Sequence, residues 1–366
     1  MTVAINSATG WVGTLDRMFR PKDQAEVKIA RGTVAGLLAI CALAACSPKP
    51  VDNDASHVPP GLESRFYPPE GWTWGAVTVK DAPSLRYGVA SPPFAPQAQV
   101  LLLPGAGEPA EAWFETARAL VDHRYAVWVL DWAGQGGSDR YTGLGMRAHV
   151  KDSAVNIEAL NQMVRQVIRP HDGQPLVIVA DGMGATIALA AMGKGLPASG
   201  AVLDSPALAA IASPQTQATA RWVTKAGLGR TPVFGFAGPV TIAGHDSARS
   251  GVIGAWGRAN PALRVDGLTW GWLDALQQTQ DMARDPVALN AVQAPVRMTV
   301  GGGSSVAAAS ACKAMAHCDL TAYPGGRGPL HQEADAVRGP WLDALLAFIA
   351  ERGAGQSIAV PPQVKH

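Results

Sequence analysis

The chain has 366 residues, a net charge of +1, and 48% hydrophobic against 16% charged residues, a balance that belongs to globular chains and excludes a disordered one. The near-neutral charge offers no broad field for a polyanion, so nucleic-acid binding is not expected. No run reaches the ~20 apolar residues of a membrane-spanning helix, which leaves attachment to a membrane open and makes crossing it unexpected.

In chain order, the first signal is the apolar run 32–45 (GTVAGLLAICALAA), preceded by Lys28 and Arg31 and ending in Leu43-Ala44-Ala45-Cys46. A basic flank, a short apolar stretch and small residues at its end have the polarity of a secretory signal. The run resembles a bacterial lipobox, which implies that the thiol of Cys46 is lipidated and that residues 1–46 are a signal region. The expected location is the cell envelope, lipid-anchored and facing the periplasm. The residues ahead of Lys28 make the segment longer than a signal of ~15–30 residues, so translation is expected to start downstream of Met1. Residues 47–70, polar and proline-rich, read as a tether.

From residue 72, β-branched apolar runs alternate with helical patterns. Expected strands are 74–79, 84–90, 98–103, 125–130, 175–180, 200–204, 295–300 and 318–323, and expected helices are 109–122, 148–168, 183–193, 305–316 and 333–351. Strands separated by helices imply an α/β fold with a mostly parallel sheet covered on both faces. The first two strands are too close in sequence for a crossover and should form an antiparallel hairpin at the sheet edge. Residues 209–292 break the alternation and read as a helical cap containing Trp270 and Trp272. The domain is expected over 71–351 and a tail over 352–366. Cys312 and Cys318, separated by five residues at a helix-to-strand junction, would bridge in an oxidising compartment. Two buried thiols or a weak metal site are the other readings, and no further ligand cluster supports a metal.

Five segments, LLLPGAGE (101–108), LDWAGQGGSDR (130–140), VIVADGMGATIAL (177–189), LDSPAL (203–208) and YPGGRGPLHQEAD (323–335), resemble the α/β-hydrolase family, in particular its monoacylglycerol lipase and lysophospholipase-like, serine aminopeptidase type branch. That resemblance implies a nucleophile at an elbow between strand and helix, an acid after the strand ending near 300, and a histidine in the last loop. It places the nucleophile at Gly182, two residues before Gly184, the acid at Ser304 and the histidine at Gly328. All three chemical groups are missing. A slip of the elbow to Asp181, as an aspartate nucleophile, would put Val179 and Met183 at positions the turn wants small.

The oxyanion donors implied by the resemblance are the backbone N–H groups of Ala106 and Met183, which any side chain can supply. His331, three residues past the histidine position, is a candidate displaced base, with Asp335 beside it and Ser205, Ser304 and Ser305 near strand ends. A loop or helix-start role is the plainer reading of His331. His149 reads as a capping or surface residue, and Gly134 and Gly136 as turn formers, because no Lys-Ser/Thr follows them. The expectation is therefore a non-catalytic binding or interaction protein that uses no cofactor, with a fatty acid or monoacyl lipid as candidate ligand beneath Trp270 and Trp272. The alternatives are a hydrolase with a constellation displaced around His331, a structural envelope protein, and tryptophans that only pack the cap.

Overall fold

The computed structural model describes residues 57–171, 174–234, 244–302 and 305–353. Eight strands form one sheet: β1 Thr73–Val77, β2 Leu85–Ala90, β3 Ala98–Leu103, β4 Tyr125–Leu130, β5 Leu176–Asp181, β6 Gly200–Asp204, β7 Val296–Gly301 and β8 Cys318–Tyr323. Their spatial order is β1-β2-β4-β3-β5-β6-β7-β8. β1 and β2 form the expected antiparallel hairpin at one edge, and every pair from β4 onward is parallel.

The central strands β3, β5 and β6 are buried along their whole length and mostly apolar because both faces are covered, with Gln99 in β3 and Asp181 and Asp204 at the ends of β5 and β6 the polar exceptions. Along β3, Leu101 and Leu103 face one core and Val100 and Leu102 the other, as the period of two requires. The helices are α1 Phe114–Asp122, α2 Ser153–Gln162, α3 Gly182–Met192, α4 Pro214–Val223, α5 Ser247–Ala259, α6 Trp270–Arg284, α7 Pro286–Asn290, α8 Val306–Lys313 and α9 Asp335–Gly353. α2 runs on through a wider π-type turn to Ile168, and it starts later than the sequence pattern suggests because Asp152 is its cap, accepting from the Ala154 N–H. α1 and α9 supply one core, α2, α3 and α6 the other.

Two expectations are revised here. Trp270 and Trp272 begin α6, which packs on α3 and α4, and both rings are buried in the main core. They belong to the layer over the sheet, so the part of 209–292 outside that layer ends before α6. The tether expectation also changes from residue 57 onward. Phe66 is buried with Phe114, Val252, Trp256 and Leu263, and Arg118 donates to the carbonyls of Ser64, Tyr67 and Pro68, so this stretch is docked on the domain. Cys46, the start of the tether and the 354–366 tail lie outside the described residues. Cys312 and Cys318 form the expected disulfide, with Cα atoms 5.3 Å apart, joining the end of α8 to the start of β8. No described helix is long and apolar enough to cross a membrane.

Candidate functional site

The elbow lies where β5 meets α3 at the carboxyl edge of the sheet. Asp181 is still extended, at φ −112° and ψ 145°, whereas Gly182 adopts φ +49°. The left-handed residue that a nucleophile elbow demands is thus Gly182, and the slip to Asp181 is ruled out by backbone conformation. Gly184 packs against the backbone of Leu103 and Pro104, leaving no room for a Cβ. Above Gly182 the reverse holds. A Cβ built there would have nothing nearer than the Gly105 Cα, 4.0 Å away. The space over the elbow is open.

The loop after β3 is pinned by hydrogen bonds on either side of Ala106. The Gly105 N–H donates to Glu108 Oε2 (2.9 Å) and the Gly107 N–H to Gln135 Oε1 (2.7 Å), leaving that of Ala106 uncommitted among the described residues. Met183 lies in the first turn of α3, where backbone N–H groups have no intrahelical acceptor. Both expected donors are therefore present beside the elbow.

Three buried carboxyl groups surround this point. Asp181 and Asp204 are register partners on β5 and β6. Asp204 accepts from the Leu330 N–H (2.6 Å), Ser205 Oγ (3.0 Å) and Thr299 Oγ1 (3.3 Å), and burial pushes its pKa up to about 6. Asp181 is raised well above the usual carboxylate range by burial and by the charges of Asp204 and Glu108. Its Oδ2 lies 2.6 Å from where a Gly105 Cβ would be, so this carboxyl sits against the oxyanion loop. Burial also works against the Glu108 charge, but the His331 imidazole and the donors Gly105 N–H and Trp113 Nε1 outweigh it and hold its pKa below the ordinary value.

His331 is not a surface loop residue. It stands in the short 3-10 turn Leu330–Gln332, 3% exposed, stacked on Trp113 at 3.9 Å between ring centroids, with Nε2 2.8 Å from Glu108 Oε1. Gln332 Nε2 donates to the same oxygen at 2.6 Å. Nδ1 has no hydrogen-bond partner, and no hydroxyl of a described residue is within reach of either ring nitrogen. Ser205 follows Asp204 at the end of β6. It has the left-handed φ of +43°, but its hydroxyl is turned to Asp204. At Gly328, φ is +72° and a Cβ would run into Ser205 Oγ, so this serine fills the space in which a histidine side chain at 328 would start.

The remaining candidates resolve simply. Ser305 caps α8 by accepting from the Ala308 N–H. Asp335 begins α9 and pairs with Arg249 at 2.6 Å. His149 is buried rather than capping or at the surface: its Nδ1 is 2.9 Å from Thr269 Oγ1, and burial lowers its pKa to about 4. Ser304 lies outside the described residues. Gly134 and Gly136 both adopt positive φ in the turns after β4. Among the described residues no group of His, Cys, Asp and Glu could hold a metal ion.

This sheet order, the left-handed elbow and the loop beside it define an α/β-hydrolase fold. The sequence profile of the serine aminopeptidase S33 family matches residues 95–335, and the chain belongs to that family. Among solved structures, it is similar to a soluble variant of the monoglyceride lipase of Saccharomyces cerevisiae, with 18% identity over 76% of this chain and 94% of that one and a TM-score of 0.61. It is likewise similar to the monoacylglycerol lipase of Paleococcus ferrophilus, with 14% identity, coverage of 73% and 99% and a TM-score of 0.59. A thermostable carboxyl esterase of Bacillus coagulans gives 14% identity, coverage of 77% and 99% and a TM-score of 0.61. A search of curated proteins gave no match.

Proposed function

We propose that this protein is a lipase-fold binding protein that has given up acyl-enzyme chemistry and holds an uncharged monoacyl lipid without cleaving it. The observation that carries the reading is Gly182: the backbone of the nucleophile elbow is present, with open space above it and no side chain to attack a carbonyl. The lipid-processing enzymes among its structural relatives support a monoacyl ligand. Charge selects its head group. The Asp204 carboxylate, charged above about pH 6 and buried beside the elbow, would repel a fatty-acid carboxylate, whereas an ester carbonyl with a glycerol head brings an acceptor to the N–H groups of Ala106 and Met183 and donors to the carboxyl oxygens of Asp181 and Asp204. Trp270 and Trp272, part of the core, leave the acyl chain to other walls.

We place the protein in the envelope as a lipoprotein acylated at Cys46, a reading supported by the basic flank, the lipobox-like LAAC and the Cys312–Cys318 disulfide. Binding of a fluorescent 1-acylglycerol, displaced by monoolein and not by oleate, is expected, with no glycerol released. Gly182→Leu, which fills the open space, should abolish binding while circular dichroism stays unchanged. Tighter binding of oleate than of monoolein, or multiple turnover of the ester, would overturn the assignment.

A further inference from the structure

Away from the elbow, the segment between β6 and α6 presents a surface with its own chemistry. In α4, the residues turned inward are Thr216 and Ala220, followed by half-buried Val223, while Gln215, Ala218, Thr219, Trp222, Lys225 and Ala226 are exposed. That spacing of three and four residues is one outward face of a helix that runs on to Ala226 and breaks at Gly227, whose φ is +79°, with Leu228 just beyond the break. Trp222 is 74% exposed, Leu228 56% and Phe234 73%, so 221–234 gathers three openly displayed large apolar side chains among the described residues. Nothing in the core calls for them to be there, since α4 already buries its other face on α6.

Charge on the same stretch has one sign. Arg221, Lys225 and Arg230 are exposed, and between Asp204 and Asp246 the sequence has no acidic residue. The carboxylate that faces Arg221 and Lys225, Asp274 on α6, is itself buried and does not reach the surface. Arg230 is anchored to the Thr142 carbonyl, which ties the loop after α4 to the domain.

We infer that this face docks on an anionic lipid bilayer, with Trp222, Leu228 and Phe234 entering the head-group region and Arg221, Lys225 and Arg230 meeting lipid phosphates. A tryptophan suits that boundary, having an apolar ring and one N–H donor. Exposed apolar groups among cations match an anionic membrane surface. A second copy of the chain fits poorly, because two such faces would bring like charges together. The inference does not depend on what occupies the elbow.

The test uses the chain from Ser47 onward, which keeps every described residue but neither the apolar run 32–45 nor an acyl group, and vesicles of phosphatidylcholine with or without phosphatidylglycerol. Co-flotation with phosphatidylglycerol vesicles is expected to exceed that with pure phosphatidylcholine and to fall as salt rises from ~0.1 to ~0.5 M. Replacing Arg221, Lys225 and Arg230 by Gln should weaken it by on the order of fivefold per cation. Trp222→Ser with Phe234→Ser should weaken it on both kinds of vesicle, more strongly where phosphatidylglycerol is present. These side chains are exposed, so circular dichroism should be unchanged in every variant. Equal flotation of wild type and variants, indifference to phosphatidylglycerol, or an effect of the substitutions on self-association alone would each overturn the proposal.

Discussion

Two buried charge clusters lie along the carboxyl edge of the same sheet, and they are balanced differently. At the β2–β4 side, Arg86 donates from Nη1 and Nη2 to both oxygens of Glu111 at 2.8 Å and from Nε to Asp131 at 2.7 Å. The N–H groups of Ala110 and Gly137 satisfy what remains of Asp131. At the β5–β6 side, Asp181 and Asp204 stand together, and among the described residues no lysine or arginine donates to either. The first cluster orders the loops around the oxyanion turn and is complete. The second lies beside the elbow and has no cation among the described residues. One buried cluster is thus balanced by an arginine and the other is not.

The comparison breaks most visibly on the arginine side. Arg86→Met should destabilise the fold by about 3–5 kcal/mol, because it strands two buried carboxylates. Urea denaturation followed by circular dichroism measures it, and a loss below ~1 kcal/mol would mean the cluster is not a unit. On the other side the effect should depend on pH. Asp204 has a pKa raised from 3.8 to about 6 in the folded protein, so its contribution is fully present below the unfolded pKa and is lost as pH rises through about 6. The difference in stability between wild type and Asp204→Asn should therefore change by on the order of 3 kcal/mol between about pH 4 and pH 8. Wild type alone would understate this, because His149, lowered to about 4 by burial, contributes in the opposite sense: its share is present above the unfolded pKa of 6.5 and lost as pH falls through about 4.

Far from both clusters, the Cys312–Cys318 bridge closes a loop of six-residue separation. Replacing both cysteines by Ser should cost about 2 kcal/mol and leave the pH dependence where it was. The smallest effect sharpens the comparison at the silent site itself. Gly328→His should cost on the order of 1 kcal/mol, since φ is +72° and Ser205 Oγ occupies the space. Combined with Gly182→Ser and Ser304→Asp, it should yield no esterase rate above background, because the new imidazole is displaced by Ser205. Recovered turnover in the triple variant would show that triad geometry survives.

Much of this architecture is legible in the sequence. Strands such as β3 and β5 announce themselves as short, largely apolar runs, and the small residues of the elbow point to Gly182 before any coordinates. What the sequence hides is pairing at a distance. Glu108 and His331 are 223 positions apart, and nothing in their spacing signals a buried hydrogen-bonded contact. His149 looks like a helix start because polar residues follow it, yet the cap is Asp152 and the imidazole turns inward to Thr269. Trp270 and Trp272 read equally as lid and as core, and only the packing of α6 on α3 decides. Asp204 stands in LDSPAL, a segment that carries the family resemblance but implies no role for its carboxylate. Its significance comes from standing beside Asp181 on the next strand.

The central claim is that no residue of this chain can form an acyl-enzyme, and intact-mass measurement after incubation with a fluorophosphonate tests it most directly. The account predicts an unmodified mass after exposure long enough to label a monoglyceride lipase completely. An adduct mapped to Ser205, lost on Ser205→Ala and on His331→Ala, would contradict it.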